Sequence, residues 1–228
     1  MAKQGKLIAL EGSEAAGKKT QALLLVDRLI QSGRRAEYIH FPTYQSTRFG
    51  DMITRYLRGE FGPKESISPE VGSLLYSLDR YQVKEVYQRK LADGIWLVAD
   101  RYTPSNLFQA AKAPTTKEQL ALAEWISRVE ERMPQPDLVI VFDAPAVLSS
   151  QAIENRGAKT DLGGRTRDIH EEDSAYLERV RTLYRLVAKR RKWPLIAVAE
   201  QKSGTLAFRS REAIHAEVWR LLKQRKIL

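Results

Sequence analysis

The sequence predicts an α/β fold, a five-stranded parallel sheet with helices on both faces, and three observations predict it. Short apolar runs alternate with longer amphipathic segments along the whole chain. Each run is nearly all apolar rather than alternating, as strands buried on both faces must be. The first run also ends in a glycine-bounded loop that opens a helix, Leu7-Ile8-Ala9-Leu10-Glu11-Gly12-Ser13-Glu14-Ala15-Ala16-Gly17-Lys18-Lys19-Thr20. Strand, glycine loop, helix is the layout of a phosphate-binding P-loop, so the fold is expected to be of P-loop NTPase type.

The elements follow in order. Gly17 to Ser32 reads as a helix, with Leu23, Val26, Leu29 and Ile30 at helical spacing and Gly33 to close it. Ala36 to Phe41 reads as the second strand, stopped by Pro42, and Thr47 to Leu57 as a helix. Gly59 to Pro69 is a loop, Glu70 to Leu91 a long helix stopped near Gly94, and Ile95 to Ala99 the third strand with Asp100 at its carboxyl end. Pro104 and Pro114 bracket an irregular or partly helical stretch. Thr116 to Arg132 is amphipathic, and Asp137 to Phe142 is the fourth strand. A short helix follows Pro145, and residues 154–168 are polar, rich in Gly and Arg, and expected to form a mobile lid. Ser174 to Arg190 is a helix, Pro194 to Ala199 the fifth strand, and Ser210 to Gln224 a closing helix. Residues 1–228 are expected to form a single domain that contains the lid.

Composition narrows the class. Hydrophobic residues make up 43% and charged residues 29% of the 228, which suits a globular protein with a large core. No apolar run approaches the roughly 18 residues needed to cross a bilayer, and the N-terminus is expected to run straight into the first strand with no signal peptide. With no cysteine there is neither a disulfide framework nor a thiolate metal site, which is compatible with the cytoplasm. The net charge of +10 suits a phosphate-rich partner, whereas the late Lys/Arg runs from Arg179 to Lys192 and Arg220 to Lys226 also read as solvated helix faces.

Several constellations carry chemistry. Gly12 and Gly17 permit backbone angles that bring amides close to phosphate oxygens, the helix opening at Lys18 turns free N–H groups toward an anion, and Lys18 adds a cation. The residue after that lysine is ordinarily Ser or Thr, whose hydroxyl ligates magnesium. Here it is Lys19, and Thr20 lies a further turn of roughly 100° around the helix. Ligands of parallel sheets bind at the carboxyl ends of the strands, so Gly12, Phe41, Asp100 and Asp143 fall along one edge. Asp100-Arg101-Tyr102 offers a carboxylate for magnesium or for acceptor positioning, and a guanidinium to clamp phosphate. Tyr76 and Arg80, four apart on one helix face, could stack on a base and bond its carbonyl; they also suit a core aromatic and a surface arginine.

Taken together these motifs resemble the thymidylate kinase family of P-loop nucleoside-monophosphate kinases. The resemblance runs from Lys6 to about Ala199. It rests on the Gly12–Lys18 loop, Phe41-Pro42 with Thr47 and Gly50, Leu74-Leu75-Tyr76 with Arg80, Asp100-Arg101-Tyr102 with Ser105, Pro136-Asp137-Leu138, and Val180-Arg181 with Tyr184. The resemblance implies ATP-dependent phosphorylation of dTMP to dTDP with Mg2+, in a cytoplasmic homodimer with no membrane or nucleic-acid partner. It assigns Gly12, Ser13, Glu14, Ala15, Ala16, Gly17, Lys18, Lys19 and Thr20 to ATP. It assigns Glu14, Phe41, Pro42, Tyr76, Arg80, Arg101, Ser105 and Gln109 to dTMP, and Asp100 to the metal through water. Lys18, Asp100 and Arg101 would be catalytic. Ala15 stands where one branch of the family has a loop arginine, so the lid arginines Arg156 and Arg165 are expected to supply that charge. The competing readings are a related kinase with another acceptor, a nucleotide-binding homologue weakened by Lys19, and a basic nucleic-acid-binding protein.

Overall fold

The structure, a computed structural model, describes residues 4–63, 66–155 and 173–228. The first half of the chain contributes β1 (Leu7–Gly12), α1 (Lys18–Gln31), β2 (Ala36–His40), α2 (Arg48–Leu57), α3 (Pro69–Ala92) and β3 (Trp96–Asp100). The second contributes α4 (Leu107–Ala110), α5 (Thr116–Val129), β4 (Leu138–Asp143), α6 (Ala146–Asn155), α7 (Ser174–Arg191), β5 (Leu195–Ala197), β6 (Ala199–Lys202), β7 (Thr205–Phe208) and α8 (Arg211–Gln224).

β1 to β5 form a parallel sheet in the order β2-β3-β1-β4-β5. The expected five-stranded α/β architecture is therefore present. Side chains alternate across the sheet, so consecutive residues of β1 feed different cores. Leu7 and Ala9 join Leu177, Val180, Leu183 and Val187 of α7 and Leu122 and Ile126 of α5 on one face. Ile8 and Leu10 meet Leu25 and Leu29 of α1 and Ile214, Val218 and Leu222 of α8 on the other.

The helix starts follow local chemistry. Thr47, Ser68, Asp173 and Ser210 each accept a backbone N–H from the first turn of the helix they precede. Thr115 and Glu118 form a reciprocal capping box at the start of α5. Helix α1 differs, because Gly17 precedes it with a left-handed φ of 84° and no side-chain cap, leaving the first N–H groups without one.

The structure refines three expectations. The Pro104–Pro114 stretch contains a 3-10 turn at Thr103–Asn106 followed directly by α4. Helix α5 ends at Val129, one turn sooner than its pattern suggested, and Glu130 leaves the helix with its side chain buried. The fifth strand ends at Ala197. The chain then makes an antiparallel hairpin, β6–β7, around Ser203-Gly204, whose φ angles are 50° and 79°. Two positive-φ residues make the tight turn that a two-residue hairpin needs. The sequence reading placed no strand here, because the polar run Glu200-Gln201-Lys202 has no apolar pattern to mark one.

Candidate active site

The sheet order brings the carboxyl ends of β2, β3 and β1 side by side. His40 of β2 is in register with Asp100 of β3, which is in register with Leu10 of β1. A cleft of about 650 Å³ opens above this edge. Its lining includes Glu14 to Thr20 of the loop and α1, His40, Phe41, Pro42 and Tyr44 beyond β2, and Tyr76 and Arg80 of α3. Asp100, Arg101, Ser105, Phe108 and Gln109 complete the opposite wall. The geometry thus brings together nearly all the residues assigned from sequence. Gly12 and Ser13 lie beneath the cleft: the Ser13 hydroxyl donates to the Ala144 carbonyl at 3.1 Å. Asp143, the other strand-end aspartate, is bound by Arg181 at 2.6 Å on the far side of β1. Arg156, Arg165 and the lid from residue 156 onward lie outside the described residues.

Gly12 is required where it stands. Its φ is +124°, and a Cβ there would come within 2.1 Å of the Phe142 carbonyl oxygen of β4. This close approach lets the loop leave β1 while β4 stays paired with it. Further on, Lys18 Nζ donates to the carbonyls of Ser13 at 2.5 Å and Gly12 at 3.2 Å. Burial, with the nearby Arg101 charge, pushes the Lys18 ammonium down to about 8, against the opposing pull of Glu14, Asp100 and Glu11.

Arg101 has a left-handed φ of 69° and bonds Glu14 at 2.5 Å, with its guanidinium 4.8 Å from the centre of the Phe108 ring. Residues other than glycine resist that backbone conformation, so neighbours must hold it. Glu11 is the principal holder, and the sequence reading gave it no role. It is fully buried and accepts the Tyr102 N–H at 2.7 Å, the Ser105 hydroxyl at 2.7 Å and the Tyr184 hydroxyl at 2.9 Å. Burial raises its pKa, against the opposing influence of these donors and of Arg101. Ser105, expected at the base edge, lines the cleft but donates its hydroxyl hydrogen bond to Glu11.

On the base side, the alternative of a core tyrosine with a surface arginine is reversed. Tyr76 is partly buried against Ile53, Tyr56 and Leu57, while Arg80 is 1% exposed and paired with Glu130. Gln109 is also buried, and neither polar atom of its amide has a hydrogen-bond partner among the described residues. A Cβ on Gly72 would fall 2.5 Å from the Gln109 amide oxygen, so a larger residue there would displace the Gln109 side chain where α4 packs on α3. The Phe41–Pro42 peptide is cis. The loop after it is held by Asp79, which accepts from the Thr43 N–H at 2.9 Å and from the Thr43 and Thr47 hydroxyls at 2.5 Å. Asp79, Glu11 and Glu130 share one reason for having gone unread: a buried carboxylate that ties loops together has no spacing pattern.

For a metal, no cluster of three or more His, Cys, Asp or Glu side chains occurs among the described residues. Asp100, 5% exposed, accepts from the Tyr38 hydroxyl at 3.2 Å and sits 3.4 Å from His40 Nδ1. Burial alone would raise its pKa. Hydrogen bonding from His40 and the charges of Lys18, His40 and Arg101 outweigh burial and lower it, keeping Asp100 ionised. Lys19 and Thr20 are exposed at the cleft rim. One ionised carboxylate suits a metal held chiefly by nucleotide phosphates and touched by the protein through water.

A glycine loop and lysine at a helix N-terminus, opposite an aspartate and an arginine at the neighbouring strand end, define a P-loop protein that handles phosphate esters. The family model described as thymidylate kinase matches residues 10–207. The chain belongs to the thymidylate kinase family. It is 36% identical over 155 residues to the thymidylate kinase of Danio rerio, covering 68% of this chain and 66% of that one. It is 35% identical over 139 residues to the thymidylate kinase of Homo sapiens, covering 61% of each. The aligned region therefore spans just under two thirds of those relatives. A solved structure of thymidylate kinase from Candida albicans superposes with a TM-score of 0.74 at 21% identity, covering 98% of this chain and 93% of that one, and shows the shared fold.

The Lys18 environment sets a pH dependence. A phosphate needs the charged ammonium, and the free protein loses that charge as pH rises through about 8. Binding of a phosphate anion at Lys18 above this pH must restore the proton. Its affinity should fall by up to about tenfold per pH unit there, with uptake of up to about one proton. Calorimetry in buffers of different ionisation enthalpy measures both, and Lys18→Met should abolish the uptake.

Proposed function

We propose that this chain transfers the γ-phosphoryl group of ATP to dTMP, releasing ADP and dTDP. One observation carries the reading: a single cleft is lined both by the cations Lys18 and Arg101 and by Phe41, Tyr76, Arg80 and Gln109. The first suits two phosphorylated substrates; the second suits a pyrimidine base. The names of the relatives point to the same acceptor.

In this mechanism the loop amides and Lys18 hold the donor phosphates, and Arg101 holds the acceptor phosphate. Glu14 keeps the Arg101 guanidinium extended across the Phe108 ring, so its direction is set before substrate arrives. Both cations stabilise negative charge on the transferring group. Magnesium arriving with ATP would neutralise phosphate charge, and Asp100 would hold it through water. Tyr76 and Phe41 would flank the base, with Arg80 and Gln109 bonding its edge. Arg156 and Arg165 are proposed to add charge at the transferring group. A cytoplasmic location is proposed with it, and the cysteine-free sequence is compatible with that location.

The functional test is ADP formation from ATP and magnesium with each nucleoside monophosphate in turn, beside a no-acceptor control. dTMP should be preferred by about tenfold or more in kcat/KM. Binding of ATP or dTMP without turnover would instead support a nucleotide-binding homologue.

Lys19 has its own consequence for metal use. With an ammonium where a hydroxyl would ligate magnesium, Lys19→Thr should lower the magnesium concentration needed for half-maximal rate. An unchanged titration would show that Lys19 does not affect metal use.

A second copy of the chain is the proposed partner. Helix α3 exposes Val71, Leu74, Leu78 and Val86, whose spacing places Val71, Leu74 and Leu78 on one stripe. Sedimentation at micromolar concentration should give a dimer mass; a monomer mass would overturn this proposal.

A further inference from the structure

The buried pair of Arg80, on α3, and Glu130, just past the end of α5, joins residues 50 apart in sequence. Arg80 is 1% and Glu130 2% exposed. Arg80 Nε donates to Glu130 Oε1 at 2.6 Å, and Nη2 approaches the same oxygen at 2.6 Å. One edge of the planar guanidinium is thereby committed, and its central carbon lies 6.0 Å from the centre of the Phe41 ring. Arg80 also lines the cleft. Such a guanidinium is an aimed donor rather than a mobile cation.

Glu130 is itself well anchored. It caps the end of α5, its N–H bonds the Ile126 carbonyl at 3.0 Å, and its own carbonyl accepts from Met133 N–H at 3.0 Å. Burial raises the Glu130 pKa, against the opposing charge and hydrogen bonding of Arg80 and the Ser77 and Asn106 groups beside the carboxylate. They are tied to each other, with Asn106 Nδ2 donating to the Ser77 hydroxyl at 3.2 Å and to the Ser73 carbonyl at 3.3 Å.

We propose that Glu130 is a positioning residue that selects a 4-oxo over a 4-amino pyrimidine as acceptor, by fixing which N–H edge Arg80 presents to the base. This rests on the proposed function. An aimed N–H donor pairs with a carbonyl oxygen. Facing an amino group, it meets another donor, and both are left unpaired in a site with little water. A guanidinium released from its carboxylate can turn away from the mismatch, so the penalty shrinks. Glu130 therefore acts on acceptor choice without touching the base, and does nothing for ATP.

The test compares kcat/KM for dUMP and dCMP, which differ at the 4 position, in the wild-type chain, Glu130→Gln and Glu130→Asp. Glu130→Gln removes the charge. Because loss of one partner of a buried pair can unfold a protein, Glu130→Asp provides the second variant, keeping the charge and withdrawing the carboxylate by one methylene. The ratio of dUMP to dCMP should fall by about tenfold or more in each folded variant, with the KM for ATP unchanged. A general loss of structure would instead depress both acceptors equally and raise the KM for ATP, which overturns the proposal. A ratio within twofold of wild type in the Asp variant also overturns it. If the wild-type chain does not phosphorylate dTMP, the functional reading and the Glu130 role fail together; if it does and its selectivity survives both variants, only the Glu130 role fails.

Discussion

The cleft depends on one buried carboxylate. Glu11 sits in the middle of the sheet edge, on the strand that β3 and β4 flank, and places its carboxyl group where water cannot reach. A carboxylate buried there is tolerated only if donors surround it. The donors it gathers come from the Tyr102 main chain, the Ser105 side chain and the Tyr184 ring, so three segments converge on one residue. The Tyr102 contact has the widest effect, because the residue before it is Arg101. Holding that peptide supports the left-handed turn that aims the guanidinium across the cleft toward Glu14.

The same device recurs at the other end of the cleft. Asp79 gathers the Thr43 and Thr47 hydroxyls and the Thr43 N–H, which fixes the loop beyond Pro42. Glu130 holds Arg80. In each case a buried carboxylate sits behind the cleft lining and ties it, or the loop beside it, in place. The wall therefore has its shape before any ligand arrives, and less binding free energy goes into ordering it. Buried ion pairs contribute little net stability because desolvation offsets their attraction. Their value here is directional.

Around Lys18 the charges are balanced closely. Arg101 disfavours its proton, while Glu14, Asp100 and Glu11 favour it. Two cations can share one cleft only with such carboxylates nearby, and phosphates entering the site would tip the balance toward the charged lysine. Lys19 adds a further positive charge at the rim, where solvent screens it.

The sequence by itself determined the layers. Apolar runs dictated strands buried on both faces, helical periodicity dictated the covering, and Gly12 and Gly17 marked a loop whose backbone must bend beyond what other residues favour. From these and the family resemblance, Lys18, Asp100, Arg101, Tyr76, Arg80 and Gln109 were legible as a site, because each sits at a strand end or on a helix face whose position follows from topology. Tertiary structure alone decided the rest. Strand order separated Asp143 from Asp100, although both end a strand. Burial made Arg80 a core residue, against the usual expectation for arginine, because Glu130 was there to receive it. The β6–β7 hairpin formed from a polar run whose pairing partner, not its pattern, defines it. Glu11, Asp79 and Glu130 carry no local signature, since a buried carboxylate takes its partners from segments far away in the chain, and only the folded arrangement brings those donors within reach.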